Sequence, residues 1–189
     1  MSLRLSSRKI INIISHQFNM FGGKQYTISE PLTILEHSIQ TANWLKIATN
    51  DNNLIVAGLL HDYGHVCQGT PIDPSTKIND HHEKVGAAAL MKLGFPEEVV
   101  IPIGLHVDAK RYLCTADREY YHSLSKGSML SFHIQGGLMT EQEVQKFKKN
   151  KYFHQAILLR HADDSGKSTI PCNTTGGILQ FTELLQSVL

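Results

Sequence analysis

His61 and Asp62 place an imidazole and a carboxylate at adjacent positions within the strongly apolar segment 54–65. A neutral imidazole can bind one cation, and the two oxygens of a carboxylate can bridge two cations. The pair alone predicts little, because adjacent residues diverge by about 100° on a helix. Most such pairs cap helices or lie on the surface. A metal site therefore needs further donors from elsewhere in the chain.

Four further donors occur at separate places in the sequence, each flanked by apolar residues: His37, His82, His106 and Asp163. We expect each to point inward from a different helix, which is how helical bundles build metal sites. A buried or surface histidine without a metal is an ordinary alternative for any one of them, but an improbable one for the whole set. The predicted metal ligands are therefore His37, His61, Asp62, His82, His106 and Asp163.

The elements that must position these residues are predicted to be helices, because apolar residues recur at intervals of three and four and alternating runs are scarce. Residues 29–31 form a helix start signal, with a capping Ser, an acidic Glu30 and a Pro tolerated in the first turn. Thr140 and Glu143 fit a capping box. Helices are expected at about 5–20, 31–48, 54–65, 81–93, 96–105, 108–116 and 151–164, with loops at 22–28, 66–80 and 165–177 and a short amphipathic helix at the end.

The fold class is therefore predicted to be all-α. We expect a single domain over residues 1–189, with a core at about 30–165 and a C-terminal loop and short helix at 165–189. The apolar fraction of 41% and the charged fraction of 19% are ordinary for a soluble globular protein. A net charge of +1 gives no reason to expect nucleic acid or an anionic membrane as a partner.

The cysteine count and the N-terminus bear on localisation. Three cysteines without a Cys-x-x-Cys pair argue against a disulfide framework. The first fourteen residues lack the long apolar run of a signal peptide, and no stretch approaches the length of a membrane-spanning helix. We therefore expect a cytoplasmic protein. The oligomeric state cannot be predicted from these features.

The order His, His-Asp, His, His, Asp on successive helices resembles the HD-domain superfamily. Most of its members are metal-dependent phosphohydrolases, and a subset are mixed-valent diiron oxygenases, which include myo-inositol oxygenase and the enzymes that cleave hydroxyphosphonates. Three segments are similar to those of the phosphonate-cleaving oxygenases: HVDAKRYL at 106–113, YYHSLS at 120–125 and QGGLMTEQE at 135–143. The similarity covers residues from about 35 to 164, and it implies an HD-domain helical bundle with a central dinuclear metal site.

The resemblance implies how the ligands divide between two iron ions, one Fe(II) and one Fe(III). One ion would be held by His37, His61 and Asp163, the other by His82 and His106, with Asp62 as the bridge. The ligand types alone suit iron, manganese or zinc. The family pattern places the ligand directly before the Glu, which favours His82 over His81 and leaves His81 on the surface. The matching spacing likewise favours Asp163 over Asp164.

Four residues correspond to phosphonate contacts in the family: His65, Lys110, Ser128 and Arg160. Helical spacing supports three of them, because His65 and Lys110 follow His61 and His106 by four and Arg160 precedes Asp163 by three. If these segments are helical, three cations share the faces of three ligands. We expect Asp62, His65 and Lys110 to take part in the reaction. Arg111 lacks this spacing and is predicted to be a solvated surface charge, and Gln135 is a weaker candidate near the substrate.

Tyr26 and Glu30 precede the first ligand helix. Related aminophosphonate enzymes carry a Tyr-x-x-Glu here, in which the Tyr covers the iron and the Glu holds a substrate ammonium. This chain has one residue more between them. Glu30 keeps its distance to His37, so that the resemblance carries its role over directly, whereas Tyr26 is displaced by one position. A helix N-terminal charge is an equally good interpretation of Glu30.

The resemblance to the phosphonate-cleaving oxygenases implies an iron-dependent dioxygenase. It would use O2 to cleave the C–P bond of a small 1-hydroxyphosphonate, such as 2-amino-1-hydroxyethylphosphonate, to a carboxylic acid and inorganic phosphate. The substituent on the substrate stays open. The alternative is a phosphohydrolase that uses the same metals to activate water on a phosphate ester or nucleotide.

Overall fold

The computed structural model describes residues 5–27, 30–68, 79–170 and 172–189. Its elements confirm the predicted all-α class, with one small hairpin added. The described elements are, in chain order, α1 (Ser7–Phe21), β1 (Gln25–Thr27), β2 (Glu30–Thr33), α2 (Ile34–Ala48), α3 (Asn52–Leu60), α4 (Tyr63–Gln68), α5 (His82–Leu93), α6 (Glu97–Ala116), α7 (Arg118–Ser123), α8 (Lys126–Ile134), α9 (Glu141–Lys148), α10 (Phe153–Ser165), a 3-10 helix (Gly177–Phe181) and α11 (Thr182–Val188).

The start of α2 lies three residues later than the sequence pattern predicted. Thr33 and Glu36 form a capping box, in which the Thr33 side chain accepts from the Glu36 N–H at 3.1 Å and the Glu36 carboxylate accepts from the Thr33 N–H at 2.7 Å. Residues 30–33 instead form β2, which pairs with β1 in an antiparallel hairpin. The predicted start at residues 29–31 is therefore wrong, and its capping residue Ser29 lies outside the described residues.

The predicted helix 54–65 is interrupted at His61 and Asp62. Asp51 caps α3 as predicted, by accepting from the backbone N–H groups of Asn53 and Leu54. The helix then ends at Leu60, and α4 begins at Tyr63. At this interruption both side chains are buried, and Nε2 of His61 lies 3.3 Å from Oδ2 of Asp62, so the imidazole and the carboxylate share one interior region.

Helix α6 is continuous where two helices were predicted at 96–105 and 108–116. No Gly or Pro follows Gly104 in this helix, and Asp108 pairs with Arg111 at 3.5 Å instead of capping a new helix. The continuity places His106 and Lys110 four residues apart on one face, and both side chains are buried.

The apolar core is formed mainly by α1, α2, α3, α5 and α6, with the C-terminal 3-10 helix and α11 packed against α1. A smaller apolar cluster joins α6, α9 and α10. The capping box of Thr140 and Glu143 is confirmed. The predicted loop 66–80 begins later, since α4 runs to Gln68, and residues 69–78 lie outside the described residues. No helix in the described ranges is long and apolar enough to cross a membrane.

Candidate metal centre

Two pairs of imidazoles meet in the interior. The Nε2 atoms of His37 and His61 lie 3.0 Å apart, and those of His82 and His106 lie 3.3 Å apart. These histidines come from α2, the end of α3, the start of α5 and the middle of α6, and all four are buried. His81 has a left-handed backbone (φ 50°), and its side chain is 53% exposed. The structure thus places His82 in the interior and His81 outside it.

The opposite ring nitrogens of these histidines are held by oxygen acceptors. The Nδ1 atom of His82 lies 3.0 Å from a carboxylate oxygen of Asp80. The other three Nδ1 atoms contact backbone carbonyl oxygens, with distances of 2.9 Å for His37 to Gly166, 2.9 Å for His61 to Gly58 and 2.8 Å for His106 to Ile103. An Nδ1–H that donates outward leaves a lone pair on Nε2, and this is how metal-binding histidines are usually oriented. Four lone pairs are therefore directed into one region.

Asp62 lies between the two imidazole pairs. Its Oδ2 atom is 3.3 Å from Nε2 of His61 and 3.7 Å from that of His37. Its Oδ1 atom is 3.4 Å from Nε2 of His82 and 3.9 Å from that of His106. Each carboxylate oxygen thus faces a different pair, which is the arrangement that a bridging carboxylate requires.

Asp163 lies on the side of His37 and His61 only. Its Oδ1 atom is 3.2 Å from Nε2 of His37 and 3.9 Å from that of His61. Asp164 points away and contacts Tyr120 at 2.6 Å. The structure therefore brings all six sequence-predicted ligands together, in two groups that could each hold a metal ion: His37, His61 and Asp163, and Asp62, His82 and His106.

The donor set fits a metal site. Oδ2 of Asp62 is buried and accepts no hydrogen bond from the described residues, whereas Oδ1 of Asp163, which also accepts none, has the Lys167 ammonium 3.4 Å away. A buried carboxylate oxygen without a donor is costly unless a cation compensates it. Imidazole nitrogens and carboxylate oxygens together suit first-row transition metals.

The pKa values of two of these histidines are shifted because the ionisable groups lie close together. Burial opposes protonation of His61, but the Asp62 carboxylate outweighs it and raises the pKa of His61 to about 9. Burial, followed by repulsion from His82 and His61, lowers the pKa of His106 well below its ordinary value. In the metal-free protein, a proton on His61 thus partly neutralises the buried carboxylates, and a metal ion must displace this proton in order to bind.

Three predicted substrate contacts form a buried cationic patch beside Asp163. The Lys110 ammonium donates to the Ser131 hydroxyl at 2.7 Å. Burial, then the Arg160 guanidinium, lowers the pKa of Lys110 to about 7. Ser128 is buried, and its hydroxyl accepts from Arg160 at 3.4 Å. A small anion bound here could pair with a charged group and accept a hydrogen bond from a hydroxyl, in surroundings shielded from water.

The Arg160 guanidinium has more hydrogen-bond and ion-pair partners within the protein than the sequence suggested. It donates to Asp163 Oδ2 at 2.6 Å and to the Tyr120 hydroxyl at 2.9 Å, and it is also paired with Asp164. Arg160 therefore orients a candidate metal ligand in addition to lining the anion patch.

Lys167 is a site residue that the sequence reasoning missed. Its ammonium lies 2.8 Å from the Ser128 hydroxyl and 3.4 Å from Asp163 Oδ1, with the side chain 10% exposed. It also borders a cavity of about 580 Å³ that includes Trp44 and Tyr120 in its lining. Helical spacing could not have indicated Lys167, because α10 ends at Ser165, two residues earlier, and the turn after the helix brings Lys167 to the site.

Tyr26 packs on the first ligand. Its ring lies tilted against the imidazole of His37, with a centroid distance of 4.1 Å and an interplanar angle of 31°. The hairpin of β1 and β2 thus brings Tyr26 over the site despite the extra residue in the sequence. The Glu30 backbone opens β2, and its side chain is outside the described part of the chain. Its role stays a prediction.

Arg111 of α6 contacts two residues of the segment QGGLMTEQE at 135–143. Arg111 was predicted to be a solvated surface charge, but its side chain is only 13% exposed and contacts the Gly137 carbonyl at 3.0 Å and Glu143 at 2.7 Å. That prediction is wrong, because Arg111 fastens α6 to the start of α9. Gln135 ends α8, and its Oε1 atom is buried without a partner among the described residues.

His65 lies beside His82, with ring centroids 4.0 Å apart, and its Nδ1 atom is 3.0 Å from the second oxygen of Asp80. The sequence reasoning missed Asp80, because it lies in the predicted long loop. Burial opposes ionisation of Asp80, but the hydrogen bonds from His65 and His82 hold the pKa of its carboxyl well below the ordinary value. Asp80 is thus an anion between two of the predicted site residues.

Most of the chain is similar to known proteins. The HD domain family matches residues 34–164. Hydroxymethylphosphonate dioxygenase of Gimesia maris is 41% identical over 140 residues, which cover 73% of this chain and 69% of that protein. A [1-hydroxy-2-(trimethylamino)ethyl]phosphonate dioxygenase (glycine-betaine-forming) of Leisingera caerulea is 35% identical over 165 residues, which cover 87% of this chain and 83% of that protein. The chain therefore belongs to the HD-domain family, in the branch that contains these two dioxygenases.

Proposed function

We propose that this protein is a diiron dioxygenase that cleaves the C–P bond of a small 1-hydroxyphosphonate. The products are a carboxylic acid and inorganic phosphate. One observation carries the proposal: the Asp62 carboxylate directs one oxygen to each of two imidazole pairs, in a chain whose relatives are phosphonate dioxygenases. The two ions are proposed to be iron, one Fe(II) and one Fe(III).

The atom balance of this reaction explains the need for O2. For hydroxymethylphosphonate, the products formate and hydrogen phosphate contain six oxygens together, against four in the substrate. Both atoms of O2 therefore enter the products, and one proton is released. Iron ions at this centre would supply the redox chemistry for O2 reduction, which the side chains alone cannot provide.

The residues of the chain would bind and orient the substrate. Lys110, Arg160 and Lys167 offer positive charge to the phosphonate, and the Ser128 hydroxyl offers a hydrogen bond. His65 packs against His82, and Lys110 lies one helical turn after His106, so the anion would be held next to the metal ions. Tyr26 covers His37 and helps to exclude water from that side of the centre. The charged groups act more strongly because they are buried.

The decisive experiment is phosphate release with and without O2. The iron-loaded protein is incubated with hydroxymethylphosphonate, 2-amino-1-hydroxyethylphosphonate and the trimethylamino analogue. We expect phosphate release from at least one substrate in air, with one O2 consumed per phosphate, and none under anaerobic conditions. Equal release without O2, or release from a simple phosphate ester such as p-nitrophenyl phosphate, would establish the phosphohydrolase alternative instead.

Lys110 offers the cleanest test of the anion patch, because its ammonium contacts Ser131 and none of the candidate metal ligands directly. Lys110→Met keeps the length of the side chain and removes the charge. A hydrogen bond to a charged group contributes about 1.5–3 kcal/mol, so KM should rise about 10- to 100-fold. Metal content, measured by elemental analysis, should be unchanged.

The matched control for this substitution is Lys151→Met, since Lys151 is exposed and pairs with Glu97 on the surface. Its KM should equal that of the wild type. An unchanged KM in Lys110→Met would remove Lys110 from the substrate site.

A further inference from the structure

We propose that Asp80 is a positioning residue that orients a metal ligand, His82, and a substrate-side residue, His65, through the two oxygens of one carboxylate. The part that concerns the substrate rests on the proposed function, and the part that concerns the metal does not. Asp80 itself would touch neither the substrate nor the metal ions.

The contacts of Asp80 are divided between its oxygens. Oδ1 lies 3.0 Å from Nδ1 of His82 and also accepts from the His82 backbone N–H at 3.2 Å. Oδ2 lies 3.0 Å from Nδ1 of His65. The two rings are stacked nearly parallel, with centroids 4.0 Å apart and planes at 23°. One carboxylate therefore restrains both rings at once.

This arrangement fixes which nitrogen of each ring faces the site. An ionised carboxylate accepts but does not donate, so Nδ1 of His82, which is hydrogen-bonded to Oδ1, must carry a proton, and a proton on Nδ1 of His65 is favoured by the negative charge of Oδ2 at 3.0 Å. The Nε2 lone pair of His82 is then available on the side of Asp62, whose Oδ1 lies 3.4 Å away. The same constraint leaves Nε2 of His65 as the nitrogen that can meet a substrate.

The local fold supports the position of Asp80 at the outer edge of the site. His81 has a left-handed backbone, which turns the chain sharply between Asp80 and His82. The Asp80 side chain is 37% exposed, whereas the candidate ligand Asp62 is buried. The rings of His65 and His82 are brought together because α4 and α5 touch at Gly64 and Gly86.

A separate cation is the alternative explanation of this group. His65, Asp80 and His82 could by themselves hold a metal ion. The separation of 3.0 Å between Nδ1 of His82 and Oδ1 of Asp80 is that of a hydrogen bond, and the contact of equal length between Nδ1 of His65 and Oδ2 is an ion-pair distance, so a proton on each Nδ1 accounts for both without a metal ion. The two explanations predict different metal stoichiometries.

The test compares Asp80→Asn with wild type in the metal-free full-length chain titrated with Mn²⁺. An amide carries no negative charge and only one acceptor oxygen, so the contact to one imidazole is lost or reversed and the contact to the other is weakened. We expect wild type to bind two equivalents. In Asp80→Asn, one equivalent should bind about 10- to 100-fold more weakly, which is the usual effect of losing such a contact, and the other should be unchanged.

The second readout is the binding of inorganic phosphate to the Mn²⁺-loaded protein by calorimetry, which needs no turnover. We expect Asp80→Asn to weaken phosphate binding as well, and Asp80→Glu, which keeps two acceptor oxygens, to restore part of both affinities. Glu97→Gln removes an exposed carboxylate far from these residues and serves as the control, with wild-type values in both assays.

Each outcome decides the question. Equal affinities in Asp80→Asn and wild type, with at most a lower melting temperature, would show that Asp80 is only structural. A third equivalent in wild type that disappears in the variant would establish a separate cation site instead. Weaker Mn²⁺ binding with unchanged phosphate binding would disprove the connection to His65. If the wild-type protein oxidises no phosphonate but Asp80→Asn binds one Mn²⁺ equivalent more weakly, the proposed function fails while the role of Asp80 toward His82 stands.

Discussion

Asp62→Ala is expected to lose both metal ions and all dioxygenase activity. The substitution removes the one carboxylate that faces both imidazole pairs, which leaves only His82 and His106 on one side of the centre. In the metal-free protein it also leaves His61 without its ion partner. Breaking a buried pair of this kind costs about 3–5 kcal/mol. The measurements are metal content after gel filtration, phosphate release, and the free energy of unfolding of the metal-free protein.

Asp108→Ala is a suitable control, because Asp108 lies on the same helix as His106 but its side chain is 41% exposed. It should keep both metals and wild-type activity. Two tightly bound metals in Asp62→Ala would contradict the bridging role of this carboxylate.

Gly64→Ala is expected to disturb the candidate metal centre, although Gly64 is not one of the candidate ligands. A Cβ atom at position 64 would overlap the His82 carbonyl oxygen and lie 2.7 Å from its carbon and 2.8 Å from the His82 Cα atom. These are backbone atoms, so no side-chain rotation relieves the overlap, and α4 and α5 must separate. Overpacking of this kind costs typically about 1–3 kcal/mol and sometimes more. We expect a cost near the upper end, together with loss of the metal held by His82.

Gly104→Ala provides the comparison for this substitution. Gly104 is also a helical glycine, but a Cβ atom there meets only the Cβ atom of Ala87, at an ordinary 3.6 Å. Alanine should therefore stabilise α6 by about 0.5–1 kcal/mol, because glycine is unfavourable inside a helix. Thermal unfolding and metal content measure both variants. Equal stability of Gly64→Ala and wild type would mean that the contact between α4 and α5 is not constrained.

The candidate ligands could be predicted because their signal is local and chemical. A His-Asp pair and isolated His or Asp residues inside apolar helical segments are visible without knowledge of the fold. Their grouping required the family resemblance. The choice of His82 over His81 likewise came from the family pattern, and in the structure the left-handed backbone of His81 turns that side chain outward.

The features that were missed depend on contacts between distant segments. The interruption at His61 and Asp62 occurs inside a run with good helical periodicity, and it coincides with the close approach of Gly64 to α5. The hairpin that carries Tyr26 is too short for a strand pattern, and the Thr33 capping box then competes with the earlier start signal. A role for Asp80 is visible only in the structure, where its carboxylate contacts two histidines on neighbouring helices.

The contact between the His37 ring and the Gly166 carbonyl has a consequence for the biogenesis of the protein. The two residues are 129 positions apart in the chain, and Asp163 approaches the same imidazole from the same late helix. A growing chain on the ribosome thus exposes His37, His61 and Asp62 long before the residues that complete their pocket are synthesised. The ion held by His37, His61 and Asp163 would therefore gain its full ligand set only after α10 is translated, whereas the other group is complete once His106 is made, so a chain truncated before residue 163 would hold half a centre.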